Sequence, residues 1–179
     1  RKFAACFSRK PRQLFEHTIN GREMPIRFDG RVAIVTGAGS GLGRSHALML
    51  AARGAKVVVN DLGGAVDGSG QSKAAADRVA AEIVAAGGEA VANYESVSDP
   101  AGAARIAAAA IDRFGRLDIL VNNAGTLRDK TFAKMELADF RAVMDVHLMG
   151  SVNCTAAAWP HMRERNYGRV VMTSSGAGL

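Results

Sequence analysis

The chain of 179 residues is poor in the features that would mark several protein classes. It has two cysteines, Cys6 and Cys154, too few for a disulfide framework and in keeping with a reducing compartment. No uninterrupted apolar run approaches the roughly 18 residues of a membrane span, so no membrane association is expected. The four histidines are scattered, and no Cys/His pair has metal-ligand spacing, so no metal site is read. The first fifteen residues contain no Asp or Glu. The formal charge of +6 is concentrated there: residues 1–30 carry seven Lys/Arg against three acids, whereas the other 149 carry 16 against 14. Aromatic residues are not interleaved with this basic leader as in a nucleic-acid-binding module, and no nucleic-acid partner is expected.

What the chain does have is apolar residues, 48% of the total, in short runs separated by glycines and alanine-rich segments. Runs at 32–36, 56–60, 89–93, 118–121 and 169–173 predict strands, and the stretches 42–53, 71–86, 100–114 and 136–163 predict helices. In the first helix Leu42, Ala47, Leu48 and Leu50 are expected to form the apolar face. Regular alternation implies right-handed crossovers and a parallel sheet. A glycine-rich loop, Leu62 to Gly70, is longer than most strand-to-helix links. Residues 1–26 show no sustained period and carry Pro11, Gly21 and Pro25. Two readings stand for that leader: a transit peptide, or upstream sequence translated ahead of a native start at Met24. The second is preferred, giving residues 1–23 as an unstructured or non-native leader and 24–179 as the domain.

Chemistry is concentrated where Val32-Ala33-Ile34-Val35 meets Thr36-Gly37-Ala38-Gly39-Ser40-Gly41-Leu42-Gly43. A strand, a glycine turn and a helix in that order suit a dinucleotide pyrophosphate. Glycines let the backbone turn tightly and approach the phosphates, and the helix presents free N–H groups and the positive end of its dipole. Gly37 is expected to permit the turn, Gly41 the backbone approach and Gly43 close helix–strand packing, with the Ser40 and Leu42 amides available to the ligand. Asp61 ends the second strand, eighteen residues past Gly43, where a carboxylate can accept hydrogen bonds from ribose hydroxyls. A 2′-phosphate would be repelled there, which points to NAD rather than NADP as the cofactor.

The spacing T-G-x-x-x-G-x-G, followed by Asn122-Asn123-Ala124-Gly125 after the fourth strand, resembles the short-chain dehydrogenase/reductase family over about residues 27–179. Val57–Gly64, Ala90–Tyr94 and Val146-His147-Leu148 are similar to its (3R)-hydroxyacyl-CoA dehydrogenase group, found as a domain of the multifunctional β-oxidation enzyme and as bacterial single-domain relatives. The resemblance implies a doubly wound parallel α/β sheet of the Rossmann type with strand order 3-2-1-4-5, here reaching only to the fifth of seven strands. It implies that Ser96 and Val97 meet the adenine, with Ser in place of the commoner Asp. Asn123, Ala124 and Gly125 would run beneath the ribose and nicotinamide, and Asn122 would tie strands together. Ser175, the second of the pair ending the fifth strand, stands where the family has its catalytic serine. His147 replaces an Asn of the proton relay; it reads equally as a relay group or as a satisfied packing residue.

The family base is a Tyr thirteen residues past that serine, with a Lys four further on. No such pair lies within these residues: Tyr94 is followed four residues on by Ser98, and Tyr167 by Val171. The chain alone is therefore expected to be inactive. The expected activity of the complete enzyme is NAD-dependent oxidation of a secondary alcohol to a ketone, on a small-molecule substrate such as a 3-hydroxyacyl-CoA thioester. The alternatives are a 3-oxoacyl-thioester reductase, a hydroxysteroid-type dehydrogenase, or a non-catalytic dinucleotide-binding fragment. A homo-oligomer formed through the fourth and fifth helices is the family's habit. A cytoplasmic location is expected, or a peroxisomal one in a eukaryote.

Overall fold

The computed structural model describes residues 16–19, 22–64 and 73–175, with side chains from Ile26 onward. Two short strands, β1 (Glu16–Ile19) and β2 (Arg22–Pro25), form an antiparallel hairpin in which Glu16 faces Pro25 and Ile19 faces Arg22. The sequence reading assigned no strand here, because the segment has no apolar–polar alternation; backbone pairing across a two-residue connection does not require one. Residues 1–15 and 65–72, the latter including most of the expected glycine-rich loop and the start of the second helix, lie outside the described residues.

The main sheet is built from β3 (Val32–Thr36), β4 (Lys56–Asn60), β5 (Ala90–Asn93), β6 (Ile119–Asn122) and β7 (Arg169–Met172). All neighbours are parallel, in the order β5-β4-β3-β6-β7. Counted from β3, this is the order 3-2-1-4-5 that the family resemblance implied. Connecting them are α1 (Gly41–Ala52), α2 (Ala74–Ala85), α3 (Pro100–Phe114), and a helical stretch running from α4 (Leu137–Met144) to α5 (Gly150–Glu164). Local sequence marks several ends. Pro100 opens α3 and Asp99 caps it, accepting from the Ala101 and Gly102 amides, while Gly115 ends it at φ 75°. Gly87 and Gly88 close α2 by donating to the Val84 and Ile83 carbonyls.

Successive side chains of a strand point to opposite faces, and the core divides accordingly. Ala33, Val35, Val57 and Val59 pack under α1 and α2 with Ala47, Leu50, Val79 and Ile83. Val32, Ile34, Val58 and Leu120 pack on the other face against Ile106 and Ala110 of α3 and Cys154, Ala158 and Met162 of α5. Burying each of the larger aliphatic side chains contributes about 1.5–3 kcal/mol. Small alanines on the helices allow close approach to the valine-rich sheet. Burial pushes the Cys154 thiol up to about 11, so it serves as a packing group. Leu42 departs from expectation: it is 65% exposed rather than part of the α1 apolar face, because the first turn of α1 stands beyond the ends of the strands.

At the N-terminal ends of the central strands, buried Asp118 locks β3 to β6. Burial alone would raise its pKa, but hydrogen bonds from Arg116, the Val32 amide and Arg31 outweigh that and hold it below the ordinary carboxylate value. Its contribution to stability is thus present above that ordinary value and is lost as pH falls through the lowered one.

The domain attaches to the segment before β3 through Ile26 and Phe28: the Phe28 amide donates to the Arg53 carbonyl, and the Arg53 guanidinium donates to the Ile26 carbonyl. Deleting residues 1–23 leaves these contacts in place. The expected change in unfolding free energy is within about 0.5 kcal/mol, the range for changes that touch no core contact. Thermal melts of the two proteins check this; a drop of many degrees would show that the leader packs on the domain.

Candidate functional site

The C-terminal ends of the parallel strands carry the loops that form the site, as expected for an open α/β sheet. Thr36 ends β3, and Gly37 turns the chain at φ 63°. A side chain at Gly37 would sit 2.8 Å from the Ala124 Cα, so the glycine loop and the Asn123-Ala124-Gly125 loop press directly against each other. At Gly43 a Cβ would lie 2.2 Å from the Gly37 carbonyl oxygen. Both glycines are required by close approach, which the spacing predicted for Gly43, whereas Gly37 was read for the turn alone; Gly41, at φ 53°, faces open space.

A hydrogen-bond knot beneath the loops holds this geometry. The Thr36 hydroxyl donates to the Val121 carbonyl and accepts from the Asn123 and Ala124 amides, each at 3.0 Å. The Asn123 side-chain amide donates to the Thr36 and Gly37 carbonyls. Thr36 was not among the site residues read from sequence: a threonine at a strand end has no distinguishing spacing, and its role depends on which loop folds over it. Asn122 ties β6 to its surroundings through Thr155 and Met172. Asn60, also missed, is buried at the end of β4 and holds Asn93 and the Glu95 carbonyl.

Above the knot lies a cleft of about 340 Å³. Its lining includes all the proposed cofactor residues except Gly41: Gly37, Ser40, Leu42 and Gly43 on one side, Asp61 at the end of β4, Ser96 and Val97 beyond β5, and Asn123, Ala124 and Gly125 on the other side. Exposed Leu42 thereby contributes to the cleft wall. Ser40 caps α1 in an extended conformation without a side-chain hydrogen bond to the helix, and the first turn carries no acid. The N-terminal amides of α1 are thus open to an anion. Arg44, in that turn, is paired instead with Glu82 of α2.

The Asp61 carboxylate accepts from the Gly39 amide through one oxygen and from the Gly63 amide through the other, both at 2.7 Å. Each oxygen keeps lone-pair capacity toward the cleft. Ser96 is bridged to Ser98 by their hydroxyls, and the carbonyl of buried Val97 accepts from Asn153 of α5.

The expected uninterrupted helix over 136–163 is broken by a π-helical turn at Asp145–Met149, with His147 at its centre. One extra residue per turn at that point lies outside what a 3.6-residue period encodes, and such turns are frequent at functional sites. The turn places the imidazole against Gly125, where a Cβ would lie 2.6 Å from the ring. Nε2 sits 3.0 Å from the Thr126 nitrogen and 2.9 Å from the Thr126 oxygen. It accepts from the amide in one tautomer and donates to the carbonyl in the other. His147 is exposed, not packed in a core, and it rests on the same loop that lines the cleft. Ser175 is also exposed, two residues past Thr173, whose amide extends the ladder to the Asn122 carbonyl. Neither Ser175 nor His147 is part of the cleft lining itself.

Residues 31–179 match the family model described as short chain dehydrogenase. The chain is 59% identical over 154 residues to the peroxisomal multifunctional enzyme type 2 of Drosophila melanogaster, a match covering 86% of this chain and 25% of that enzyme. A short chain dehydrogenase from Mycobacterium avium superposes with a TM-score of 0.76 at 50% identity, covering 84% of this chain and 54% of that one. A 7α-hydroxysteroid dehydrogenase solved with NADH and 7-oxo glycochenodeoxycholic acid superposes with a TM-score of 0.77 at 34% identity, covering 85% and 56%. The chain thus spans only about a quarter to a half of the length of these proteins.

Proposed function

We propose, from the premise that this chain belongs to the short-chain dehydrogenase family, that it is the dinucleotide-binding part of an NAD-dependent dehydrogenase acting on a secondary alcohol, most plainly that of a 3-hydroxyacyl-CoA. The observation that carries the reading is the cleft between the open N-terminus of α1 and the Asn123–Gly125 loop, with Asp61 at one end. The donors fit the cofactor: unfilled backbone amides for a pyrophosphate and a carboxylate for the adenosine ribose. Bound NAD would supply the hydride acceptor.

The remaining roles belong to the chain itself. Gly37 and Gly43 keep the loop close, and Thr36 and Asn123 hold it rigid, so little ordering is left to be done on binding. Ser96 and Val97 stand toward the adenine end. Ser175 would donate a hydrogen bond to the substrate oxygen as its proton leaves. His147, with one ring nitrogen held by Thr126, would offer the other to a proton relay. The acyl-CoA substrate is supported by the resemblance of Val57–Gly64, Ala90–Tyr94 and Val146-His147-Leu148 to the hydroxyacyl-CoA dehydrogenase group. A steroid alcohol is the second reading, favoured by the likeness to the hydroxysteroid dehydrogenase, and comparing kcat/KM for the two substrates on a chain that includes the downstream segments separates them. Association through the family's fourth helix, which α4 and α5 together form here, is part of the same proposal; Leu137, Val152 and Trp159 there are at least half exposed.

Asp61 provides the test of cofactor choice. With the carboxylate present, NAD is expected to bind at least ten-fold more tightly than NADP, ~1.4 kcal/mol or more. In Asp61→Ala the repulsion of a 2′-phosphate and the bonds to the ribose both disappear, and the ratio should fall toward unity. A calorimetric ratio left unchanged by the substitution would mean that Asp61 does not face the ribose.

A further inference from the structure

We infer that Gly39 is a specificity-determining residue, which fixes the Asp61 carboxylate in the orientation that rejects a 2′-phosphate. The inference rests on the NAD-preferring reading above and adds to it the device by which the preference is enforced.

A carboxylate at the end of a strand can discriminate only if it stays in place. A free aspartate side chain has three staggered positions about its first torsion, and one that swings aside when a phosphate arrives excludes nothing. Asp61 is held at both ends of its carboxylate: the Gly39 amide donates to Oδ2 and the Gly63 amide to Oδ1, each at 2.7 Å. Charge-assisted bonds of this kind are the stronger class of hydrogen bond. Rotation of the carboxylate would break both bonds and take from two loop amides the acceptor they hold.

The approach that makes the first bond possible requires glycine. A Cβ at position 39 would lie 2.8 Å from the Asp61 carboxylate carbon and from Oδ2, and 2.7 Å from the Ala75 Cβ at the start of α2. Any side chain there must displace either the carboxylate or the helix. The glycine is therefore not explained by turn geometry: it is the only one of the glycine-loop residues whose missing side chain makes room for Asp61. The nearby basic residues on α1 and before α2 give a displaced site nothing with which to recruit a phosphate in its place, since Arg44 is paired with Glu82 and Lys73 lies over the Tyr94 ring. The rejection thus depends on keeping one carboxylate still.

The test uses the wild-type chain, Gly39→Ala and the double variant Gly39→Ala/Ala75→Gly, titrated calorimetrically with NAD and NADP. The double variant removes the contact with α2 and keeps the contact with Asp61, so it separates carboxylate displacement from damaged packing. The expected result is a ratio of NADP to NAD dissociation constants at least ten-fold smaller in both variants than in the wild type. Retention of the wild-type ratio in the double variant, whether or not the single variant folds, overturns the inference. Amide hydrogen exchange on the cofactor-free wild-type chain gives an independent reading: Gly39 and Gly63 should be protected, and Asp61→Ala should speed both by ten-fold or more. Fast exchange of Gly39 in the wild type also overturns it. A wild type with no preference between the cofactors would instead refute the proposed NAD specificity, an outcome visible before any variant is made.

Discussion

The 179-residue chain is expected to produce no NADH above background from a 3-hydroxyacyl-CoA or a simple secondary alcohol, while a longer protein that continues it into a Tyr-x-x-x-Lys segment is expected to turn over. Hydride leaves the carbinol carbon only as the hydroxyl proton is removed, and general-base help of this kind contributes typically 10²- to 10⁴-fold. A phenol of pKa ~10 is a poor base at neutral pH unless a cation lowers that value, so the Tyr and the Lys are needed together. Neither Tyr94 nor Tyr167 supplies such a pair. Tyr94 donates to Asp77, and its pKa is raised by that hydrogen bond, by burial and by the Asp77 charge, opposite to what a base requires. Tyr167 is stacked with Arg31 and Arg169 at the edge of the sheet far from the glycine loop in topology, where β7 begins. In the longer protein Ser175→Ala should lower kcat by about 10²-fold or more, the usual cost of removing a donor to a developing oxyanion. Robust turnover by the short chain would mean that another base operates, and His147→Ala would be the variant to examine first.

Gly43→Ala is expected to abolish useful cofactor binding, lowering NAD affinity by about 10²-fold or more, ~2.7 kcal/mol or more on the binding scale. The added methyl would be 2.2 Å from the Gly37 carbonyl oxygen and 2.5 Å from the Asn123 side-chain nitrogen. Both neighbours belong to the knot around Thr36, and neither is the mobile end of a long side chain. Relief requires the first turn of α1 to move away from the strand ends, carrying with it the amides that face the pyrophosphate. Overpacking of this sort also costs about 1–3 kcal/mol of stability. Titration and thermal unfolding of the same protein separate the two effects. Wild-type affinity in Gly43→Ala would show that the loop yields without loss and that its close packing is not what shapes the cleft.

The sheet and the cofactor cleft were legible in the sequence because each depends on local signals. Strand–helix alternation is written in short runs of neighbouring residues. The glycine loop was legible because a backbone turn with no room for Cβ leaves few choices of residue. Ten of the eleven residues read as cofactor contacts line the one cleft, although what they bind there rests on the titrations proposed above. Other features were not legible, Asn60 and the β1–β2 hairpin among them. The π turn at Asp145–Met149 follows from no change in apolar spacing; it shows only when His147 is seen against Gly125. Thr36 became important through its partners at Val121, Asn123 and Ala124, some 85 residues away in sequence. The exposure of Leu42 arises because α1 begins past the ends of the strands, so a helical-face argument that begins at its first turn runs out of sheet. The strand order came from the resemblance and was met by the fold, since spacing along a chain does not order strands in space.

The central claim is that the cleft between Gly37, Asp61 and Gly125 takes a dinucleotide and chooses NAD. Calorimetric titration of the wild-type 179-residue chain with NAD and then with NADP, at matched salt and pH, tests it most directly. The account predicts measurable binding of NAD, with NADP at least ten-fold weaker. Equal affinity for the two, or heat from neither, would contradict it.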